Sequence, residues 1–429
     1  MDNKKVELLS PAGNLEKLKI AIQYGADAVY AGVSHFSLRI RAGKEFTFES
    51  FKEGIDYAHA RGKKVYATIN GFPFNSQIEL LKKHIATMAS LEPDGFIVAA
   101  PGVVKLCREI APQIDIHLST QANVLNYLDA QVFWDMGVKR IVVAREISLK
   151  DVIEIKKHLP DMEIEIFVHG SMCFAYSGRC LVSAVQMGRV PNRGSCANDC
   201  RFEYTLYAAN EDHSTLFRLE EEPGVGTYIF NSKDMNLASH IKEILDSGAV
   251  DSLKIEGRTK SPYYAAVTAK AYRNAIDDYY DGKFEASKYQ RELYTTKNRG
   301  FTDAYLIHRP FEKTDSQNHD YALSKGSYEV TGLVTQDEEH FLCKYKVYPN
   351  EDIEIFTPMG EELIECENEI GKIFKKDGIY YINFKKILTE TNKELESVHS
   401  GNVNKIKLPG ILPYLTMFRI ENVDGTIVE

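Results

Sequence analysis

The sequence predicts an α/β protein: a (β/α)8 barrel of the TIM type with a small antiparallel β-barrel domain at its C-terminal end. Eight short apolar runs alternate with segments of helical periodicity over the first 285 residues. One interval between these runs is much longer than the others and contains four of the seven cysteines. From about Gly326 the helical periodicity ends, and short strand-like segments divided by turn residues follow.

Each apolar run is predicted as one strand, because it is short and rich in residues that favour strands. The strands are Val6–Ser10, Ala28–Gly32, Lys64–Asn70, Gly95–Ala99, Asp115–Ser119, Arg140–Ala144, Glu163–His169 and Ser252–Glu256. The segment after the first run has Leu15, Leu18 and Ile22 on one helical face, and Asn14 is its predicted N-cap. Strands that alternate with helices pair in parallel, and eight such units are what a closed barrel requires. Because periodicity does not report closure, a doubly wound open sheet stays an alternative.

Two domains suit a chain of 429 residues, because a single hydrophobic core rarely grows past roughly 250–300 residues. We predict the barrel at 1–285, with a cysteine-rich insertion at about 170–250 after the seventh strand. A polar, irregular linker is predicted at 286–325 and the β domain at 326–429. The strand-like segments of that domain are Tyr328–Val334, Phe341–Val347, Asp352–Phe356 and Gly378–Phe384.

The composition is that of a globular protein, with 44% hydrophobic and 26% charged residues. No apolar run approaches the roughly 18 residues that span a bilayer, and the N-terminal segment lacks the features of a signal peptide. We therefore expect a soluble, cytoplasmic protein whose cysteines stay reduced. The formal net charge is −9, so a nucleic acid would have to bind a local basic surface.

Four cysteines form the pattern Cys173-x6-Cys180-x15-Cys196-x3-Cys200 in a stretch rich in glycine and other turn residues. Such a stretch lets the backbone fold back, so that four thiolates converge on one metal site. Iron–sulfur clusters are typically held by four cysteine thiolates, whereas structural zinc usually has two closely spaced pairs. The spacing alone leaves both metals open. The other three cysteines are expected to be structural: Cys107, Cys343 and Cys366.

Polar side chains follow the C-terminal ends of the predicted strands, where a β/α barrel builds its active site. Arg145 and Arg258 suit bidentate binding of carboxylate or phosphate oxygens. The other predicted site residues are Gln121 and Asn70 for substrate binding, and His169, Glu146 and Glu256 for proton transfer. For each of them the alternative is an ion pair or a cap that only stabilises the barrel. The sequence has no serine-hydrolase elbow, no zinc-protease helix and no phosphate-binding P-loop.

The stretch Glu165–Ser183, EIFVHGSMCFAYSGRCLVS, resembles the signature of the collagenase-like peptidase family U32. The opening LLSPAGNL and the later SLKIEGR are also typical of this family. The similarity spans the barrel and, more loosely, the β domain. Although the family name implies proteolysis, members with this cysteine pattern resemble oxygen-inserting enzymes. The resemblance implies that the four cysteines bind a 4Fe-4S cluster, which favours iron over zinc.

The resemblance further implies hydroxylation of the tRNA wobble uridine at C5, with prephenate as a co-substrate that the strand-end arginines suit. The arginines of the cysteine loop are the expected RNA contacts: Arg179, Arg193 and Arg201. An extruded base would stack on aromatic residues of the same loop: Phe174, Tyr176, Phe202 and Tyr204. The β domain is expected to hold tRNA and to be dispensable for folding of the barrel.

Three rival functions stay open at this point. The first is a peptidase, as the family name says. The second is hydroxylation of another RNA or of a small molecule. The third is a non-catalytic RNA-binding or scaffold protein in which the cysteines are structural.

Overall fold

The computed structural model describes residues 5–33, 36–38, 46–173, 175–193, 195–202, 204–205, 207–209, 216–218, 232–308, 316, 318 and 326–421. No helix in this part of the chain is long and apolar enough to cross a membrane.

The N-terminal part is built on a closed ring of eight parallel strands. The strands of this part are β1 (Glu7–Pro11), β2 (Ala28–Ala31), β3 (Lys64–Ile69), β4 (Gly95–Val98), β5 (Asp115–Leu118), β6 (Arg140–Val142), β7 (Glu163–Ser171), β8 (Tyr207–Ala209), β9 (Leu216–Arg218), β10 (Asp234–Asn236), β11 (Ser252–Ile255) and β12 (Phe301–Thr302). Of these, β8, β9, β10 and β12 lie outside the ring. Strands β1 to β7 pair in sequence order, and β11 closes the ring by pairing in parallel with both β1 and β7. The predicted barrel is confirmed, and the open-sheet alternative is excluded.

Most helices follow a barrel strand and cover the outside of the ring with one apolar face buried. The helices are α1 (Leu15–Gln23), α2 (Phe48–His59), α3 (Ile78–Ser90), α4 (Pro101–Ile110), α5 (Tyr127–Asp135), α6 (Leu149–His158), α7 (Val182–Met187), α8 (Ile241–Asp246), α9 (Pro262–Tyr280) and α10 (Ala286–Tyr294). Of these, α7 lies in the cysteine-rich insertion and α10 follows α9. Asn14 caps α1 as predicted, since its side chain accepts a hydrogen bond from the backbone N of Lys17 (3.0 Å).

The cysteine-rich insertion leaves the barrel where β7 continues past the ring. The end of β7 pairs antiparallel with β10, and β10 pairs in parallel with β12. Gly170 lies in this extension with φ +116°, and a Cβ there would meet the carbonyl oxygen of Glu256 at 2.5 Å. A side chain is therefore excluded where β7 crosses the end of β11. The insertion starts directly above the barrel mouth.

The segment predicted as an irregular linker, 286–325, differs from that prediction over residues 286–308. This part contains α10, which packs on α9, and β12, which extends the barrel sheet. Ala304 and Leu306 are buried in the main barrel core. Polar residues dominate α10, so its one buried face, with Tyr289 and Leu293, was not recognised from the sequence.

The C-terminal part is one curled antiparallel sheet around its own apolar core. Its strands are β13 (Tyr328–Val334), β14 (His340–Cys343), β15 (Lys346–Val347), β16 (Asp352–Phe356), β17 (Cys366–Glu367), β18 (Gly371–Lys376), β19 (Ile379–Phe384), β20 (Ile387–Leu388), β21 (Glu394–Leu395), β22 (Val398–His399), β23 (Ile406–Lys407) and β24 (Met417–Glu421). Eight of them pair in the order β17-β18-β19-β16-β24-β13-β14-β23.

A third apolar cluster joins this sheet to the barrel, with residues from α1 and α9 on one side and from β13, β16 and β24 on the other. Within it, the Tyr24 hydroxyl lies 2.8 Å from the carbonyl oxygen of Phe356. Beside it, Arg419 of β24 donates to Glu292 of α10 (2.9 Å) and to Glu354 (3.0 Å). Removing the β domain would expose this cluster, so the expectation that it is dispensable for the barrel does not agree with the structure.

Candidate active site

A cavity opens at the C-terminal ends of the barrel strands, below the cysteine-rich insertion. Strand ends and the loops after them form its floor and walls, and the insertion forms its roof. Its lining side chains include Tyr30, Thr68, Asn70, Gln121, Arg145, Phe167, Lys254, Glu256 and Arg258 from the barrel, with Cys173, Cys180, Cys196, Asp199 and Cys200 from the insertion. Five of the predicted site residues of the barrel therefore meet in one place: Asn70, Gln121, Arg145, Glu256 and Arg258.

Arg145 and Glu256 form an ion pair across the mouth, through the Arg145 Nη2 and Glu256 Oε2 atoms. The Arg145 guanidinium also lies 4.0 Å from the ring centroid of Phe167, a cation–π contact that orients its plane. The predicted proton-transfer group Glu256 is thus the counter-ion of the predicted anion-binding arginine. The pair presents a fixed guanidinium to the cavity.

Arg258 reaches the opposite side of the mouth. Its Nη1 atom donates to the hydroxyls of Ser37 (2.8 Å) and Thr68 (3.1 Å). Its backbone carbonyl accepts from the Lys17 ammonium (3.3 Å). Both the side chain and the backbone of Arg258 are therefore held before any ligand arrives, which lowers the entropic cost of binding an anion.

The sequence analysis missed Lys254, which lies on the floor of the cavity. Its ammonium pairs with Glu165 (2.6 Å) and lies 4.4 Å from the ring centroid of Tyr30. Burial lowers the pKa of Lys254, although the neighbouring Glu165 carboxylate opposes that shift. Strand alternation could have found it, because Lys254 lies two residues before Glu256 and so faces the same side of β11.

Asn70 and Gln121 occupy the wall that was predicted to bind substrate. Asn70 accepts from the backbone N of Leu38 (3.2 Å) and donates to Ser119 Oγ (3.4 Å). Gln121 is buried, and its Oε1 atom has no hydrogen-bond partner in the described part of the chain. Gln121 is among the residues that line the cavity.

All four cysteines of the insertion line the same cavity as free thiols. Burial raises the pKa of Cys180 and of Cys200, and the other cysteines of the group raise both further by charge repulsion. Iron–sulfur clusters are typically held by four cysteine thiolates, so the donor chemistry of this set suits such a cluster. In the described residues no group of three or more Cys, His, Asp or Glu side chains is arranged to hold a metal ion.

His169 was predicted as a proton-transfer group, but it points away from the cavity. A bulge in the β7–β11 pairing lies between Lys254 and Ile255, and it places His169 opposite Ile255. The side-chain alternation of β7 therefore changes face after Phe167. His169 is 2% exposed, packs against the rings of Tyr264, Tyr272 and Phe301, and burial lowers its pKa to about 3. Its position is structural.

Glu146 also fails to line the cavity among the described residues. Its carboxylate accepts from the backbone N of Ser177 (2.7 Å) and from the Ser177 hydroxyl. Ser177 belongs to the 3-10 turn Tyr176–Gly178 in the insertion and in turn accepts from the backbone N of Arg145 (3.2 Å). Glu146 therefore anchors the roof to the end of β6 instead of transferring protons in the cavity.

The predicted RNA contacts lie around the outside of the roof. Arg179 is exposed and donates to the backbone carbonyl of Gln121 (3.1 Å), while Arg201 is half-buried. Two of the predicted stacking residues, Tyr176 and Phe202, are 46% and 43% exposed. The side chain of Arg193 and the whole of Phe174 lie outside the described residues. Tyr204 is half-buried and lies within hydrogen-bonding distance of Gln186 and of the Asp199 carbonyl, so it is bound within the insertion.

A cavity with charged side chains under a four-cysteine roof at the mouth of a β/α barrel agrees with the class of protein that the sequence signature predicted. The chain matches the model of Peptidase family U32 over residues 13–316 and belongs to that family.

Three relatives are similar to this chain over most of their length. The chain is 64% identical over 417 residues to the tRNA hydroxylation protein P of Helicobacter pylori, which covers 97% of this chain and 99% of that protein. It is 39% identical over 413 residues to the protein of the same name from Escherichia coli, covering 86% and 90% of the two chains. A protein named collagenase from Porphyromonas gingivalis is 28% identical over 392 residues, covering 88% and 87%. The predicted family membership is confirmed.

Proposed function

We propose that this chain hydroxylates C5 of the wobble uridine of tRNA, with prephenate as co-substrate and a 4Fe-4S cluster as cofactor. One observation carries the proposal: the cationic floor of the barrel mouth and the four-cysteine roof line one cavity. The relatives with the highest identities quoted above are named for tRNA hydroxylation, and similarity along nearly the full length of the first supports the same activity here.

The residues that would hold the cluster are Cys173, Cys180, Cys196 and Cys200. When bound, the cluster supplies one-electron redox chemistry directly above the cavity. Two contacts of this chain support such a role for the roof. Asn192 fixes the backbone of Cys180 from both sides (3.4 and 3.3 Å), and Ser183 accepts from the backbone N of Ala197, next to Cys196 (3.1 Å).

The floor suits a small dicarboxylate. Arg145 and Arg258 approach from opposite sides of the mouth and are both held by protein contacts, and Lys254 adds positive charge beneath them. A carboxylate bound there would gain charge-assisted hydrogen bonds in a site from which most water is excluded. This chemistry favours prephenate and is shared by other small diacids.

The rim of the roof suits a single-stranded segment of RNA. Tyr176 and Phe202 expose aromatic faces for stacking, and Arg179 lies beside them with its guanidinium near the surface. Stacking of an unpaired base on an aromatic ring contributes roughly 1–3 kcal/mol. A nucleotide flipped out of the anticodon loop would pass this rim before entering the cavity.

The peptidase alternative has the family name and the collagenase relative in its favour. Against it stands the cavity itself, because no histidine lines it in the described part of the chain. The serine and cysteine residues there consequently lack the imidazole base that most such nucleophiles use.

Mass spectrometry of tRNA nucleosides from cells with and without this gene tests the proposal. We expect loss of 5-hydroxyuridine and of its derivatives in the deletion, and their return on expression of the wild-type chain but not of Arg145→Ala. An unchanged nucleoside profile, with cleavage of denatured collagen by the purified chain, would instead establish the peptidase.

The cofactor is tested on protein purified without oxygen. We expect about four irons per chain and a broad visible absorbance, and we expect Cys196→Ala to lose most of both. Cys366→Ala is the matched control, because Cys366 lies in the β domain, where its sulfur contacts the Pro409 carbonyl (3.5 Å). Stoichiometric zinc without iron in the wild-type protein would contradict the cluster.

A further inference from the structure

The roof of the cavity contains a carboxylate that nothing in the sequence analysis singled out. Asp199 precedes Cys200, begins the 3-10 turn Asp199–Arg201 and lines the cavity. It is 1% exposed, and neither of its carboxylate oxygens has a hydrogen-bond partner in the described part of the chain. Its backbone is held, since the Asp199 carbonyl accepts from the Tyr204 hydroxyl (2.8 Å).

A buried carboxylate without partners is costly, because it has lost its water and gained nothing in return. A molecule that enters the cavity and carries hydrogen-bond donors would supply the missing contacts. Gln121 points to the same conclusion, since its buried Oε1 atom is a second acceptor without a partner on the cavity wall. The ligand on this side of the cavity must be a donor.

The roof and the floor of the cavity differ in charge. Arg145, Lys254 and Arg258 face a ligand from the strand ends and suit an anion, whereas Asp199 would repel a carboxylate placed beside it. A small diacid consequently belongs on the floor, and the roof is left to a neutral group with an N–H or O–H. A nucleobase edge is such a group.

Uracil in RNA has one ring donor, the N3–H group, between two carbonyl acceptors. Cytosine has a lone pair at the same ring position, which would face the carboxylate unfavourably. We propose that Asp199 accepts a hydrogen bond from N3–H of the target uracil and so determines specificity for uridine, with Gln121 on the adjoining wall. This inference rests on the proposed function, because it assigns the base that the proposed reaction modifies.

The test is a double-mutant cycle that removes either the Asp199 carboxylate or the N3–H group of the base. Anaerobically purified full-length protein, wild-type or Asp199→Ala, is titrated with an anticodon-loop RNA that carries either uridine or 3-methyluridine at the wobble position. A hydrogen bond to a charged group contributes about 1.5–3 kcal/mol, so we expect 3-methylation to weaken wild-type binding roughly tenfold or more. For Asp199→Ala we expect weaker binding of the uridine RNA and less than about a twofold further loss on methylation.

Two further variants and two further measurements make the result specific. Asp199→Asn keeps an acceptor oxygen and should retain an intermediate preference for uridine. Asp161→Asn changes an exposed aspartate and should bind like the wild type. Because Asp199 is unpartnered in the folded protein, Asp199→Ala should not lower the melting temperature. Iron content and prephenate affinity should also stay at wild-type values.

The outcomes separate this inference from the function on which it rests. Tight RNA binding with equal methylation penalties in wild type and Asp199→Ala would overturn the role of Asp199 alone. Loss of iron in Asp199→Ala would make Asp199 a ligand of the metal site. Loss of prephenate affinity would show that the hydrogen-bond donor to Asp199 belongs to prephenate. Either result overturns the proposal. If the wild-type protein does not bind the RNA at all, both the inference and the proposed function fail.

Discussion

Two arginines five positions apart, at opposite ends of β6, show how the same side chain serves two purposes in this barrel. Arg140 begins the strand, is 4% exposed, and contacts the carboxylates of Glu7, Glu163 and Glu165 at the N-terminal end of the barrel. Arg145 follows the strand at the C-terminal end, where it forms an ion pair with Glu256 and lines the cavity.

The difference lies in the polar groups that surround each guanidinium. Burial by itself would lower the pKa of Arg140, but the carboxylates of Glu7 and Glu165 outweigh it and raise that pKa above its ordinary value. At the N-terminal end the guanidinium of Arg140 and its carboxylate partners form a closed ion-pair network, and these side chains come from β1, β6 and β7. At the C-terminal end the acceptors of Gln121 and Asp199 lack hydrogen-bond partners among the residues that the structure describes. The polar groups at the N-terminal end of the barrel interior stabilise the fold, and those at the C-terminal end are left for a ligand.

Substitution of Arg140 should give the largest loss of stability. Arg140→Leu removes the cation that pairs with three carboxylates, of which Glu165 keeps Lys254, and breaking a buried ion pair in this way costs about 3–5 kcal/mol. Urea denaturation should show this as a lower midpoint or as failure to fold. The exposed Arg108→Leu is the control and should stay near wild type. If Arg140→Leu is as stable as the control, the closed network does not stabilise the barrel as described.

Arg145 and Arg258 should show the opposite behaviour, with a larger effect on binding than on stability. Loss of a charge-assisted hydrogen bond costs about 1.5–3 kcal/mol, which is roughly a 10- to 150-fold weaker Kd for prephenate. Calorimetric titration of Arg145→Ala and Arg258→Ala would measure it. Arg145→Lys should fall between, because it keeps the charge but not the planar fork. A strongly lowered melting temperature with unchanged Kd would instead make either residue part of a structural network.

His169 should give the smallest effect, limited to acidic pH. Its folded pKa of about 3 lies below the unfolded value of about 6.5, so the unfolded chain takes up a proton first as the pH falls. The stability contributed by neutral His169 is complete above pH ~6.5 and is lost progressively towards pH ~3. Between pH 6.5 and 5 this amounts to about 2 kcal/mol.

The free energy of unfolding of His169→Gln should therefore fall less steeply with acidification than that of the wild type. The buried His117, whose pKa is also lowered by burial, contributes the same slope to both proteins, and the exposed His399→Gln should leave it unchanged. Denaturant titrations at several pH values measure these slopes. Parallel slopes for wild type and His169→Gln would contradict the buried, neutral histidine, and a shifted pH profile of hydroxylation would return His169 to the active site.

Most residues of the barrel mouth could be predicted from the sequence, because the strand ends of a β/α barrel converge whatever the details of the loops. Arg145, Glu256 and Arg258 were therefore placed together correctly. His169 was misplaced because a single bulged residue reverses side-chain alternation, and hydrophobic periodicity does not reveal one extra residue in a long buried strand. Lys254 was overlooked because it lies within a strand, whereas the predicted site residues were read from the strand ends.

The sequence by itself determined the eight β/α units, the position of the insertion and the family, since these depend on local periodicity and on contiguous motifs. Only the tertiary structure decided that the ring closes, that α10 belongs to the barrel domain, and that the β domain shares an apolar cluster with α1 and α9. It also decided which polar groups are satisfied. Burial and hydrogen-bond partners arise from segments far apart in the chain, so the unpartnered carboxylate of Asp199 becomes visible only when the insertion lies over the barrel mouth.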